Sequence, residues 1–282
     1  MLAQILSLFF APLFFLASLT LGAETPGHIL QRTDPLPMGA KLWIRQGDGR
    51  VELQGWDRPE VSLRAEFHDG TGGEKAELAV RPVSGGLEIE VRIPRHRFVL
   101  GFHRPPLCHL SLKVPRRLNV VARSVDGDIS VRDLEGYAGC ETVDGRIRLE
   151  NLGGEAHVHA VDGDITARNL NARIKGGTVD GNIELERVAG GVDLKTVDGR
   201  IEARNLDGWG EGIRLKTVDG SIQVALGAAT GRLEARTGDG SIRHSLKGLH
   251  VEESKEHLLR GRIPGREQEI SLRTGDGDIR ID

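Results

Sequence analysis

Residues 124–208 contain SVDGDISVRDLEG (124–136), TVDGRIRLENLGG (142–154), AVDGDITARNLNA (160–172), TVDGNIELERVAG (178–190) and TVDGRIEARNLDG (196–208). Their aspartates, Asp126, Asp144, Asp162, Asp180 and Asp198, stand 18 residues apart each time. The Asp-Gly punctuation continues at Asp219, Asp239 and Asp276, at steps of 21, 20 and 37. The last step corresponds to two coils or to one coil carrying an insertion. A shorter copy, GDGRVELQGW, occupies residues 47–56. Self-similarity at a fixed short period is the signature of stacked repeats.

Alignment on the aspartates gives columns with physical meaning. Three residues after Asp stands Ile129, Ile147, Ile165, Ile183, Ile201, Ile222, Ile242 or Ile279. Five after come Val131, Leu149, Ala167, Leu185, Ala203 and Val224, and eight after come Leu134, Leu152, Leu170, Val188 and Leu206. Six before Asp, the column reads Val120, Ala138, Ala156, Ile174, Val192 and Ile213. Mostly polar residues separate these positions, so each unit holds two short strands of period two. Such a unit is too small to bury its apolar face alone. Parallel stacking at about 4.8 Å per coil merges the faces into one narrow core. The expected fold is all-β: a single-domain β-solenoid, parallel-β-helix-like, of 18-residue coils. An antiparallel sandwich has no reason to keep that spacing through five consecutive aspartates.

The other columns support stacking. Six residues after Asp, Arg132, Glu150, Arg168, Glu186 and Arg204 alternate in sign. Neighbours of opposite charge on adjacent coils contribute about 0.2–1 kcal/mol each, enough to help set register. Seven after Asp, Asn151, Asn169 and Asn205 suit a corner with positive φ or a side-chain ladder. The structural turn column consists of eight pairs: Asp126-Gly127, Asp144-Gly145, Asp162-Gly163, Asp180-Gly181, Asp198-Gly199, Asp219-Gly220, Asp239-Gly240 and Asp276-Gly277. Here Asp is expected to bond nearby backbone amides and Gly to take φ > 0. Calcium-binding solenoids place Asp in the order G-G-x-G-x-D, which this chain lacks. Thr142, Thr178, Thr196, Thr217, Thr237 and Thr274 share the parity of the buried positions and read as corner hydroxyls.

Composition agrees with a thin, punctuated core. The 282 residues include 38 Gly, about twice the usual share of roughly 7%, and only 4% aromatics. Gly does not recur every third residue, which excludes collagen. Hydrophobic content of 38% is too high for a disordered chain. A net charge of −3 provides no basic footprint for nucleic acid.

Residues 1–23 carry no charged side chain and hold an apolar run from Ile5 to Leu19, then Gly22 and Ala23. They read as a secretory signal peptide cleaved near Ala23, with an uncleaved anchor as the alternative. No Cys at that point supports a lipid anchor. The expected location is therefore exported: periplasm, outer surface or extracellular. Residues 24–118 form a more irregular β region continuous with the solenoid, and 119–282 carry the repeats with an insertion at 245–268. Cys108 lies 18 residues before Asp126 and Cys140 four before Asp144, nearly two coils apart in this register. About 10 Å exceeds the ~7 Å reach of a disulfide, so both thiols are expected free and Cys140 buried.

Signals for chemistry are weak. G-x-S-x-G, H-E-x-x-H and the P-loop pattern are absent, and no cofactor or metal is expected. His157 and His159 alternate on an outward face without a third ligand nearby. The loop RHRFVLGFHRPP (95–106) sets Arg95, Phe98, Phe102 and Arg104 together as a candidate interaction loop, or as a folded-back cap.

GDGRVELQG, LKVPRRLNV, the successive T-V-D-G-x-I units and the terminal TGDGDIRI together resemble a widespread bacterial family of adhesin-like proteins of unknown function built from β-strand repeats. The likeness runs from about Ala40 to Asp282. It implies an exported, envelope-associated, non-catalytic protein. The leading expectation is an adhesive or structural surface for an envelope protein or glycan, without nucleic acid and with no membrane contact beyond the signal segment. Two alternatives are a scaffold self-associating through uncapped solenoid ends after Ile281, and a β-helix carbohydrate-active enzyme with a deep acidic groove.

Overall fold

The computed structural model describes residues 28–70, 74–93, 105–208 and 210–282. Their secondary structure is β throughout. The N-terminal strands are β1 (Ile29–Pro35), β2 (Lys41–Arg45), β3 (Val51–Trp56), β4 (Glu60–His68), β5 (Glu77–Val83), β6 (Gly86–Arg92), β7 (Leu107–Pro115), β8 (Asn119–Arg123) and β9 (Ile129–Arg132). The regular coils supply β10 (Glu135–Glu141), β11 (Ile147–Glu150), β12 (Gly153–His159), β13 (Ile165–Gly177), β14 (Ile183–Val188), β15 (Val192–Lys195), β16 (Ile201–Leu206), β17 (Ile213–Lys216) and β18 (Ile222–Ala225). The chain ends with β19 (Gly231–Arg236), β20 (Ile242–His244), β21 (His250–Lys255), β22 (Leu258–Ile263), β23 (Glu269–Arg273) and β24 (Ile279–Ile281).

The solenoid expectation is borne out. Each coil contributes one strand to each of two facing sheets, with the TVDG turn between them. Sheet A runs β1-β4-β7-β3-β9-β11-β13-β14-β16-β18-β24-β20. Sheet B runs β5-β6-β2-β8-β10-β12-β13-β15-β17-β23-β19-β22-β21. Strand β13 bends at Asn169 and serves both. The coils pair in parallel and in register, Ile147 beside Ile129 and Ile165. Among the described residues, antiparallel strands occur only towards the ends.

Between the sheets lies one thin core. Seven of the eight column isoleucines are 0–1% exposed. Burying each contributes roughly 1.5–3 kcal/mol. The eighth, Ile242, is only half-buried because β20 is the last strand of sheet A. Small residues such as Ala122, Ala156 and Ala203 let the two sheets approach closely.

Two features of the threading depart from sequence order. The coil β2-β3 stacks directly on β8-β9, while residues 57–118 leave it to build β4 to β7 beyond it. The C-terminal coil β23-β24 slides between β17-β18 and β19-β20. The strand ending at Ile281 is therefore internal. The expectation of uncapped edges there is corrected: the last strands in space are β20 and β21. The latter is charged and bulged between Val251 and Glu253, which discourages edge pairing.

This threading also widens the gap between the cysteines. Cys108 is on β7 in sheet A and Cys140 on β10 in sheet B, three coil levels apart, because the β2-β3 coil intervenes. Both are buried free thiols, and desolvation pushes each up to about 12.

Candidate functional site

Site geometry starts at the turn. All eight Asp-Gly pairs sit at the corner between the sheets, but their hydrogen bonding differs from expectation. The backbone N–H of Asp144 donates to Val125 one coil below, and Asp162, Asp180, Asp198 and Asp219 repeat the pattern at 2.9–3.0 Å. Among the described residues, the carboxylates of the eight column aspartates make no hydrogen bond or ion pair. The glycines do not adopt positive φ. A Cβ at any of them would stand 1.8–2.4 Å from a carbonyl oxygen in the neighbouring coil, so the column is glycine for close approach rather than for handedness. That carbonyl accepts the hydroxyl of the column threonine at 2.7–3.2 Å: Thr142 to Gly127, Thr178 to Gly163, Thr196 to Gly181 and so on to Thr274 and Gly220. In the first coil Gln46 takes this place and reaches the Cys108 carbonyl at 2.7 Å.

The opposite corner holds the positive φ. Asp133, Asn151, Asn169, Arg187 and Asn205 lie at φ 54–59°. Their side chains form a ladder from Asn151 to Asp133 (3.0 Å), Asn169 to Asn151 (3.2 Å) and Arg187 to Asn169 (2.6 Å). In the alternating column the register is as expected, with Glu150 between Arg132 and Arg168. Arg168 pairs with Glu186 at 3.6 Å, whereas Arg132 donates instead to Gln54 at 3.1 Å. His157 is held by Glu155 at 2.9 Å and lies edge-on to Tyr137. Among the described residues, no three His, Cys, Asp or Glu are grouped to hold a metal. Arg95, Phe98, Phe102 and Arg104, and the leader 1–23, lie outside the described residues.

One polar surface is not announced by the repeats. On the outer face of sheet A, six adjacent strands (β1, β4, β7, β3, β9, β11) form a shallow groove of about 750 Å³. Period two and the register lay its side chains out as two rows. One reads Gln31, Arg64, Ser111, Glu52, Ser130, Arg148, and the other Thr33, Ser62, Lys113, Gln54, Arg132, Glu150. Six strands span about 24 Å at the usual strand spacing. Four cations face two carboxylates. Lys113 and Arg148 have no ion-pair partner among the described residues. At one end Trp56 is fixed by its indole N–H to the Glu60 carbonyl at 2.8 Å, with the Arg58 guanidinium 5.0 Å from its ring. Glu52 and Glu150 sit on different rows, two strands apart, with backbone positions about 12 Å from one another. Sequence reading missed this surface because half of it belongs to β1, β4 and β7, whose place beside β3 is a matter of threading. The alternation in GDGRVELQGW was the one signal available.

A two-sheet solenoid with side-chain ladders at both corners and flat polar outer faces defines a class of stacked-coil proteins. Within it, this chain belongs to the Toastrack DUF4097 family, whose profile matches residues 75–282. No curated protein matches it. Among solved structures it is similar to a candidate cell adhesion protein from Clostridium sporogenes (12% identity, 90% of this chain and 99% of that one, TM-score 0.32). It is also similar to a candidate adhesin from Bacteroides fragilis (13%, 93% and 100%, TM-score 0.41). A third is a candidate lipid binding protein from Parabacteroides distasonis (12%, 91% and 97%, TM-score 0.43).

Proposed function

We propose that this chain is an exported, non-enzymatic protein of the cell envelope whose sheet A groove is an adhesive surface for an extended acidic glycan. The two-row polar grid carries the reading. Its hydroxyls and amides suit a hydroxyl-rich chain, its cationic surplus suits carboxylate or sulfate groups, and Trp56 offers an apolar ring at one end. The flat strands keep these groups at fixed spacing, so binding orders little that is not already ordered. Export is supported by the uncharged apolar leader. Hydrolysis is disfavoured because the two carboxylates of the grid, Glu52 and Glu150, stand on different rows with the β9 strand between them rather than as a facing pair.

The test is binding of the secreted protein to arrayed acidic and neutral polysaccharides. Wild type is expected to retain acidic glycans in a salt-sensitive manner. Arg132→Glu/Arg148→Glu should lose that binding while keeping the wild-type thermal midpoint, since both side chains are exposed. Equal retention of neutral and acidic glycans, or binding untouched by the double reversal, would reject the groove as the site.

A further inference from the structure

The residue between the buried corner position (Thr, Ser124 or Ala160) and the column aspartate is valine in six successive coils: Val125, Val143, Val161, Val179, Val197 and Val218. These side chains point outward, and five of them are 36–50% exposed. Backbone bonds between adjacent coils hold the row in register, Val143 to Val125 at 3.3 Å and Val197 to Val179 at 3.1 Å. The row ends at Gly47 on one side and at Gly275 and Gly238 on the other. A solvated corner needs no apolar side chain at this position, yet here they form a continuous apolar ridge along the solenoid edge.

The ridge has two different flanks. On one side run the eight column aspartates, whose carboxylates are unpaired among the described residues. On the other, three residues before each aspartate, runs the outward end of sheet B: Arg45, Arg123, Lys195, Lys216, Arg273 and Arg236, with Glu141, His159 and Gly177 in the remaining coils. Lys195 and Lys216 also lack ion-pair partners among the described residues. We propose that this edge binds a second copy of the same chain, related by a two-fold axis parallel to the solenoid. That operation lays valine ridge on valine ridge and sets each anionic flank against the partner's cationic flank. Asp198 of one copy faces Lys195 of the other, and Asp219 faces Lys216. The antiparallel two-fold would set aspartate against aspartate and is excluded by repulsion.

Nine coil levels make the edge about 38 Å long, and four extended residues make it about 13 Å wide. Two such strips cover about 1,000 Å² in total, the lower limit for a specific interface. Such an area fits a weak, reversible dimer. It uses neither the groove of sheet A nor the solenoid ends.

Sedimentation equilibrium of the purified protein, over about 1 to 200 µM, tests this through the concentration dependence of mass. Wild type should dimerise, and more weakly at high salt. Val143→Lys/Val179→Lys/Val197→Lys should weaken the dimer by more than about tenfold, with an unchanged thermal midpoint. Lys195→Asp/Lys216→Asp should weaken it as well, and adding Asp198→Lys/Asp219→Lys should restore it. A monomer at every concentration overturns the proposal. So does a dimer indifferent to the lysine substitutions, a double reversal that fails to restore, or a dimer that EDTA abolishes, which would mark a cation bridging aspartates.

Discussion

Ala160 interrupts a column otherwise filled by threonine, by Ser124 or by Gln46, each able to donate a hydrogen bond, and it is fully buried at the corner. Its neighbours above and below, Thr142 and Thr178, donate to Gly127 and Gly163. The carbonyl between those two, that of Gly145, lacks the equivalent hydroxyl. Ala160→Thr should fill that place and add about 0.5–1.5 kcal/mol, the net value of one buried hydrogen bond. Urea unfolding would show a higher midpoint at an unchanged slope. The corner asparagines show how far single residues speak from sequence. Asn151, Asn169 and Asn205 announce positive φ because their short amides tolerate the left-handed region. Asp133 and Arg187 share that geometry silently, and arginine has no such preference. The Asp-Gly pair misleads in the same way. Its usual reading is a left-handed glycine, whereas here contact with the neighbouring coil, invisible in one unit, demands the missing Cβ.

At the level of the turn, the residue two after the column aspartate caps its counterpart in the next coil. Asp128 accepts the Arg146 backbone N–H and guanidinium, both at 2.9 Å, and Asn182 accepts the Arg200 N–H at 3.0 Å. Partial burial pushes the Asp128 carboxyl up, but the Arg146 bonds and charge outweigh it and hold the group below its ordinary value. The unfolded chain therefore binds more protons in acid. This contribution is complete above about pH 4, the ordinary Asp range, and is lost as pH falls through the lower folded value. Asp128→Asn keeps the backbone cap, as Asn182 demonstrates, and removes the ion pair. It should cost about 0.2–1 kcal/mol at neutral pH and flatten the fall in stability measured from about pH 5 down to about pH 2. The strands themselves were legible because period two and an exact spacing agreed, and Glu150 duly falls between Arg132 and Arg168. Partner choice among those charges was not, since long side chains reach along their own strand as easily as across it.

Across the whole molecule, the interleaved C-terminal coil makes the last residues a middle layer. Both β23 and β24 are sandwiched between strands of other coils, and Ile270, Leu272, Ile279 and Ile281 are fully buried. Truncation after Gln268 should therefore do more than trim an end. It should release β19 to β22, which then lose the coil they stack on, while β8 to β16 stay folded. Hydrogen exchange would report this as lost protection across residues 231–263. If the last coil were terminal in space, that region would stay protected. The N-terminal threading has a parallel consequence: the polar groove exists because β4 and β7 join sheet A beyond β3, a placement no periodicity encodes.

An 18-residue period with a fixed inward isoleucine dictates parallel stacking, because only a neighbouring coil can cover each unit's apolar face. Fold class, corner positions and the columns that touch between successive coils all follow from that local rule. Spatial order of the coils does not. Any coil offers the same strand edges to any other, so the place of β2-β3 beside β8-β9, and of β23-β24 within the stack, is decided by long-range packing of the connecting segments. The six-strand grid of the groove and the burial of the final strand are both consequences of that packing. The valine ridge belongs to both levels: the repeat places a valine in each coil, and stacking makes six of them one surface.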